Sequence, residues 1–309
     1  MRPAEATTRF QQWICGKAPK REFIRLAAYV NAIAHMRKRR VNIKTMTNAK
    51  RIRMDTACIA IGNPITQHAY DRRPMTDTLI RVVGNKFQEL SNAQSILTFD
   101  ELVARVRDGQ LEPAAISLEQ GISESQVDVL RDLVAQSNHA GQISLRSYFD
   151  SHQRCDGTLT HKIKRANTLI SDPQETGEDT YASVLLIDDE CADLSDHVTG
   201  KHVQFMVLLE AARQMGNAVT QKFHSTAAKM YLAENINVDF KAFAYPFQVD
   251  LEYRVLERNL RTTGDGKMAV RIDFRQQGKV IAQLTLTFTV LDRKFVSALE
   301  STALKSLHN

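Results

Sequence analysis

The spacing of hydrophobic and polar positions changes along the chain, and each change marks a different kind of structure. The last third alternates residue by residue. In "FQVDLEYRVLE", Phe247, Val249, Leu251, Tyr253 and Val255 share one face, while Gln248, Asp250, Glu252 and Arg254 share the other. Leu284, Leu286, Phe288 and Val290 alternate in the same way with Thr285, Thr287 and Thr289. A period of two is that of a half-buried antiparallel strand. It predicts strands at "NVDFKAFAY", "FQVDLEYRVLE", "MAVRIDFRQ" and "KVIAQLTLTFTVLD", with "TTGDGK" and "QQGK" as hairpin turns. Upstream, "THKIKRANTLI" and "YASVLLIDD" also read as strands. Between the two groups, residues 203–222 carry apolar side chains at helical spacing. Met206, Val207, Leu208, Leu209, Ala211, Ala212, Met215, Ala218 and Val219 cover nearly the whole circumference, which predicts a helix buried on most sides.

The stretch before this alternates between element types. "TLIRVVGNKF" reads as a strand and "TFDELVARVRDG" as a helix, with Thr98 and Glu101 at capping-box spacing and Gly109 as its stop. "PAAISLEQG" is a second strand. "SESQVDVLRDLVAQSN" repeats the device with Ser123 and Gln126, and "QISLRSYF" is a third strand. Strand–helix–strand–helix–strand implies parallel crossovers. Neither G-x-G-x-x-G nor G-x-x-x-x-G-K-[ST] occurs, so this layer is not expected to bind a dinucleotide or a nucleoside triphosphate; packing or dimerisation is its expected role. The predicted class is α+β. A hotdog domain, an antiparallel sheet wrapped around a long central helix, is expected over 155–295. A small α/β (βαβαβ) domain over 75–150 and a basic, weakly ordered extension over 1–74 are expected to precede it.

Composition adds limits. Of 309 residues, 43% are hydrophobic and 25% charged, the balance of a soluble globular protein. No apolar run approaches the ~20 residues that a membrane-spanning helix requires, and no secretory signal is recognisable. Cys15, Cys58, Cys155 and Cys191 are scattered without a C-x-x-C pair. This argues against a zinc site or a disulfide framework and fits a reducing cytoplasm; no metal and no cofactor is expected. The net charge of +6 is uneven: residues 1–74 hold 16 Lys+Arg against 4 Asp+Glu, so the rest of the chain is net −6. The basic clusters "HMRKRRVNIK" and "NAKRIRMD" lack interleaved aromatics, and a helix is predicted around Arg21–Met36. Three readings stand for this segment: a nucleic-acid-binding arm, a weakly ordered extension, or sequence upstream of a start at Met75. Nucleic acid is not the expected partner.

The candidate chemistry lies in the apolar helix. Glu210 sits in the middle of the run Phe205–Ala212. An unpaired carboxylate there costs several kcal/mol, so it must be paired, protonated or functional. Arg213 and Gln214, three and four positions on, are placed to orient it. The helix N-terminus near Phe205 offers free N–H groups to a polarised carbonyl, and His197 and His202 lie in the loop feeding it. Together these form a candidate acid–base pair beside an oxyanion-type site. A structural alternative stays open: Glu210 forms a buried ion pair with Arg213, and His197 merely caps the loop.

"DHVTGKHVQFMVLLEAARQ" resembles the signature of the A-factor biosynthesis hotdog proteins, the bacterial family that makes γ-butyrolactone and butenolide signals. Asp196, His197, Gly200, Met206, Glu210, Ala211, Ala212, Arg213 and Gln214 match; Phe205 stands where the pattern has glycine, and Lys201 and His202 make the spacer polar. The stretch is more distantly similar to β-hydroxyacyl-carrier-protein dehydratases, where a histidine and a glutamate form the catalytic pair. The resemblance covers roughly residues 158–292, one hotdog unit where the family member usually described has two. It implies a β-ketoacyl or fatty-acyl thioester on acyl-carrier protein or coenzyme A, lying along the central helix, and a glycerol-derived acceptor such as dihydroxyacetone phosphate. Glu210, His197, Arg213 and Gln214 are then the catalytic candidates, and Gly200, Lys201, His202, Phe205 and Met206 the substrate-binding ones. Arg213 is expected too deep to hold a phosphate, which falls to Lys201 or a strand residue. Side-by-side pairing of units implies a homodimer. A thioesterase or dehydratase on the same groove, and a non-catalytic acyl-binding regulator, are the alternatives.

Overall fold

Two reciprocal caps start the first layer. In the computed structural model, which describes residues 79–91, 95–192, 200–225 and 229–306, the Thr98 and Ser123 side chains accept the backbone N–H of Glu101 and Gln126. The side chains of these two return a bond to the cap's own N–H. Four orphan donors are thereby satisfied and the helices α1 (Phe99–Arg107) and α2 (Glu124–Ala135) begin. Gly109, at φ 68°, takes the left-handed conformation that stops α1. Strands β1 (Leu79–Val83), β2 (Ile96–Thr98), β3 (Ala115–Leu118) and β4 (Ser144–Ser147) pair in parallel in the order β2-β1-β3-β4. The layer thus has four strands where sequence predicts three. The additional strand, β2, is three residues long and runs straight into the cap of α1, too short to show a period of its own. Val82, Leu102, Ile116, Leu118, Val127 and Leu130 form its core.

The segment "THKIKRANTLI" is not a strand. A short helix α3 (Gly157–Thr160) ends at His161, which is left-handed at φ 57°. A 3-10 turn then occupies Arg165–Asn167, and only Ile170 makes a bridge, to Leu185. The reason lies in its backbone partners: the Gln214 side chain accepts from Leu169 N and donates to Asn167 O, bonds that a neighbouring strand would otherwise supply.

The period-two segments build a larger sheet from β5 (Gln174–Gly177), β6 (Thr180–Val184), β7 (Lys229–Phe240), β8 (Asp250–Leu260), β9 (Gly266–Gln276) and β10 (Lys279–Asp292). All pairs are antiparallel, in the order β5-β6-β8-β9-β10-β7. The β9–β10 hairpin turns through Gln277 and Gly278, both at positive φ, which matches the twist of the flanking strands. Helix α4 (Phe205–Val219) continues into a single π turn, Thr220–His224. Its residues Val207, Leu208, Ala211, Ala212, Met215 and Ala218 pack into one core with Leu251, Tyr253, Ile272, Phe274, Leu284 and Phe288. Sequence predicts burial on most sides of this helix; the structure buries one broad side and leaves Phe205 56% and Met206 46% exposed. A last helix, α5 (Arg293–Ser306), follows β10.

Residues 71–301 form one compact unit. Val83, Phe87 and Leu90 leave the first layer to join the core around α4. Gln120, itself buried, donates to Leu185 O and accepts from Ile187 N, and Gly121 N donates to Ile187 O. The chain crosses so closely here that a Cβ on Gly84 would lie 1.9 Å from Gly121 O. The predicted extension over 1–74, its helix at Arg21–Met36, Met75 and the loop residues Asp196 and His197 lie outside the described residues.

Candidate active site

Glu210 is paired on every side. Lys162 Nζ and Arg213 NH2 each approach Oε1 at 2.7 Å, Arg213 Nε donates to Oε2 at 2.8 Å, and Gln214 Nε2 donates to Oε1 at 3.0 Å. The guanidinium therefore grips both oxygens, the strong bidentate form of such a pair. Burial pushes the carboxyl pKa up, but the bonds from Arg213, Lys162 and Gln214 outweigh it and bring it down to about 2. The group is an anion at neutral pH and a weak proton acceptor. The spacing to Arg213 and Gln214 is helical; Lys162 arrives from the irregular segment after α3, and Arg213 NH2 also donates to Thr160 O at 3.0 Å. Gln214 is fixed from behind by Leu169 and Asn167.

The ion pair of the structural alternative is present, yet the carboxylate is not walled off. Glu210, with 17% of its side chain exposed, lines a cavity of about 390 Å³ together with the polar residues Lys162, Arg213, His161, Asn217 and Tyr231. Met206, Leu209, Ile236, Leu284, Leu286 and Phe288 supply apolar lining. Arg213 lies shallower than its sequence position implies, with 42% of its side chain exposed. A second cavity of about 510 Å³ lies against the first turn of α4, lined by His202, Phe205, Leu208 and residues 240–244. There the His202 ring tilts against Phe243 at 4.9 Å, and Phe205 meets Phe240 edge-on at 5.9 Å. The Gln204 side chain makes no capping bond to the first-turn amides of α4.

The structure therefore gathers Met206, Glu210 and Arg213 at one cavity and places His202 and Phe205 at the other. Gln214 is buried behind Glu210. Lys201 is exposed and lines neither cavity, and Gly200 lies beside the Glu89 carboxylate, which a Cβ would approach to 3.3 Å. The imidazole in the cavity of Glu210 belongs to His161, not to His202. His161, Lys162, Asn217 and Tyr231 were not among the sequence candidates. Burial, then Arg213 and Arg293, lowers the His161 pKa. Burial pushes the Tyr231 phenol up to about 12, and its Oη has no hydrogen-bond partner among the described residues.

A long helix cradled by an antiparallel sheet, with a charged cavity along its exposed side, defines a hotdog protein. Residues 145–292 match the family model of the A-factor biosynthesis hotdog domain. No curated protein matches the chain. Solved structures that resemble it include a conserved protein of Pseudomonas aeruginosa, at 20% identity over 39% of this chain and 87% of that one, TM-score 0.29. A thioesterase of Haemophilus influenzae shares 17% over 40% and 78%, TM-score 0.32. A mutant thioesterase of Pseudomonas aeruginosa shares 14% over 45% and 96%, TM-score 0.34.

Proposed function

We propose that this protein transfers the acyl group of a β-ketoacyl or fatty-acyl thioester, carried on acyl-carrier protein or coenzyme A, to a hydroxyl acceptor in the making of a γ-butyrolactone or butenolide. One observation carries the reading: Glu210, clamped by Lys162 and Arg213, lines a cavity whose remaining lining is largely apolar. The apolar lining suits an acyl chain. One carboxylate against two cations leaves a positive excess, which suits an anionic acceptor such as dihydroxyacetone phosphate, the co-substrate that the family resemblance implies. Arg213, exposed at this wall, takes over the phosphate-binding part first assigned to Lys201. Glu210, as an anion, orders both cations and polarises the acceptor hydroxyl. Gln214 holds Glu210 in place, and the α4 amides face the thioester carbonyl. His197 keeps its proposed part in orienting substrate from the preceding loop; Met206 contacts the acyl chain in the cavity of Glu210, and Gly200, Lys201, His202 and Phe205 remain proposed substrate contacts outside it. A homodimer formed along β7, the end strand of the sheet with Ile236 and Phe240 exposed, completes the proposal.

A non-catalytic acyl-binding role is favoured by one observation, the saturation of Glu210 by three donors. Incubation with a β-ketoacyl coenzyme A, with and without dihydroxyacetone phosphate, followed by mass spectrometry separates the readings. A β-ketoacyl ester that disappears with Glu210→Gln supports acyl transfer. Free β-keto acid makes the protein a thioesterase, and bound but unchanged thioester makes it an acyl-binding protein.

A further inference from the structure

Acyl transfer to a hydroxyl requires a group that removes the hydroxyl proton, and the clamped Glu210 is poorly suited to that step. The same cavity contains an imidazole held by an unusual piece of backbone. His161 sits just past α3 at φ 57° and ψ 43°, a left-handed conformation that few residues other than glycine adopt and that clusters at functional sites. The side-chain amide nitrogen of Asn217, Nδ2, on α4, lies 3.5 Å from its Nδ1, and the Tyr231 ring, on β7, lies 5.6 Å from its own. Tyr231 Oη is buried on this wall with no protein partner among the described residues. A hydroxyl with no protein partner is free to donate to a group that enters the cavity.

We propose that His161 is the proton acceptor of this site, with Asn217 as its positioning residue and Tyr231 as the donor to the reacting carbonyl; the assignment rests on the acyl-transfer reading. In the acting form the Asn217 amide is turned end for end, so that its oxygen accepts from Nδ1–H and Nε2 keeps its lone pair. The acceptor hydroxyl gives its proton to Nε2 as its oxygen forms a bond to the thioester carbon. The carbonyl oxygen becomes an oxyanion and accepts a bond from Tyr231 Oη. Collapse breaks the C–S bond, and the departing thiolate takes the proton back from the imidazolium. Atoms and electrons balance with no further reactant. The charged groups that act on the ring are Arg213 from α4 and Arg293 at the start of α5; Lys162 and the Glu210 anion line the same cavity. Burial and the two arginines lower the imidazole pKa, so it is neutral and available at pH 7.

The test is His161→Asn, because asparagine tolerates left-handed backbone. It is assayed with β-ketodecanoyl coenzyme A and dihydroxyacetone phosphate, alongside calorimetric binding of the thioester. The expected result is a kcat about 100-fold lower or less, with thioester affinity nearly unchanged. The acid limb of the wild-type pH profile, centred below 6.5, disappears, and added imidazole restores turnover to His161→Gly. A His161→Asn variant as active as wild type overturns the assignment and leaves acyl transfer standing. A wild type that neither binds nor turns over the thioester overturns that reading and this one with it. Should both variants fail to fold, the wild-type profile decides: no acid limb between about pH 5 and 8 overturns the proposal, and a limb centred below 6.5 supports it.

Discussion

Replacing Glu210 with glutamine keeps the shape of the side chain and removes its charge, so it isolates the ion cluster beneath the cavity. The folded carboxyl titrates at about 2 against an ordinary value of 4.5. At about 1.4 kcal/mol per unit, that difference would contribute about 3 kcal/mol. Arg213 is 42% exposed, and screening by solvent reduces its share, so a loss of about 2 kcal/mol at pH 7 is expected. The sign follows from protons. Because the folded pKa is depressed, the unfolded chain binds the extra proton between about pH 4.5 and 2. The contribution is therefore complete above 4.5 and disappears as pH falls toward 2. Urea unfolding of wild type and variant should show a gap of about 2 kcal/mol at pH 7 and about 1 kcal/mol at pH 3.5. A gap that stays constant over this range would refute the charge argument. A loss beyond about 4 kcal/mol at pH 7 would make the pair a structural keystone.

Three further perturbations test the surroundings. Arg154 is wholly buried and donates to Thr168 O and Leu186 O while facing Glu124 and Asp188. Arg154→Met should cost about 3–5 kcal/mol in urea unfolding, because carbonyls and carboxylates are left without it; a loss under about 1 kcal/mol would contradict this arrangement. Gln214→Leu leaves the buried Leu169 N unpaired, at about 1–3 kcal/mol, frees the half-buried Asn167 O, and should raise protease sensitivity around residue 167. Gly84→Ala drives a methyl into Gly121 O and should yield insoluble protein, read from soluble expression.

What the sequence disclosed follows physical range. Strands β8 and β10 are legible because one face is buried and the other wet, as the fully buried Leu251 and Tyr253 and the exposed Arg254 show. The caps at Thr98 and Ser123 act within four residues and are equally plain. The grip of Arg213 and Gln214 on Glu210 is local to one helix, so its spacing announces it. Lys162 and His161 reach the same cavity from 48 and 49 residues upstream, out of a segment whose polar run masks an irregular path. No periodicity encodes such a meeting. Tyr231 hides for the opposite reason: within an alternating strand its hydroxyl is indistinguishable from ordinary core. The strand β5, exposed throughout, carries no apolar signal at all.

The seam at Gln120 and Gly121 has a practical consequence. The matched segment begins at residue 145, yet Leu185 O and Ile187 N find their partners at Gln120, and Phe87 plugs the core from still further upstream. Kinship and autonomy have different borders here. A fragment trimmed to the family match would be born with an open seam, greasy where Phe87 belongs, and should clump unless the preceding layer is supplied with it.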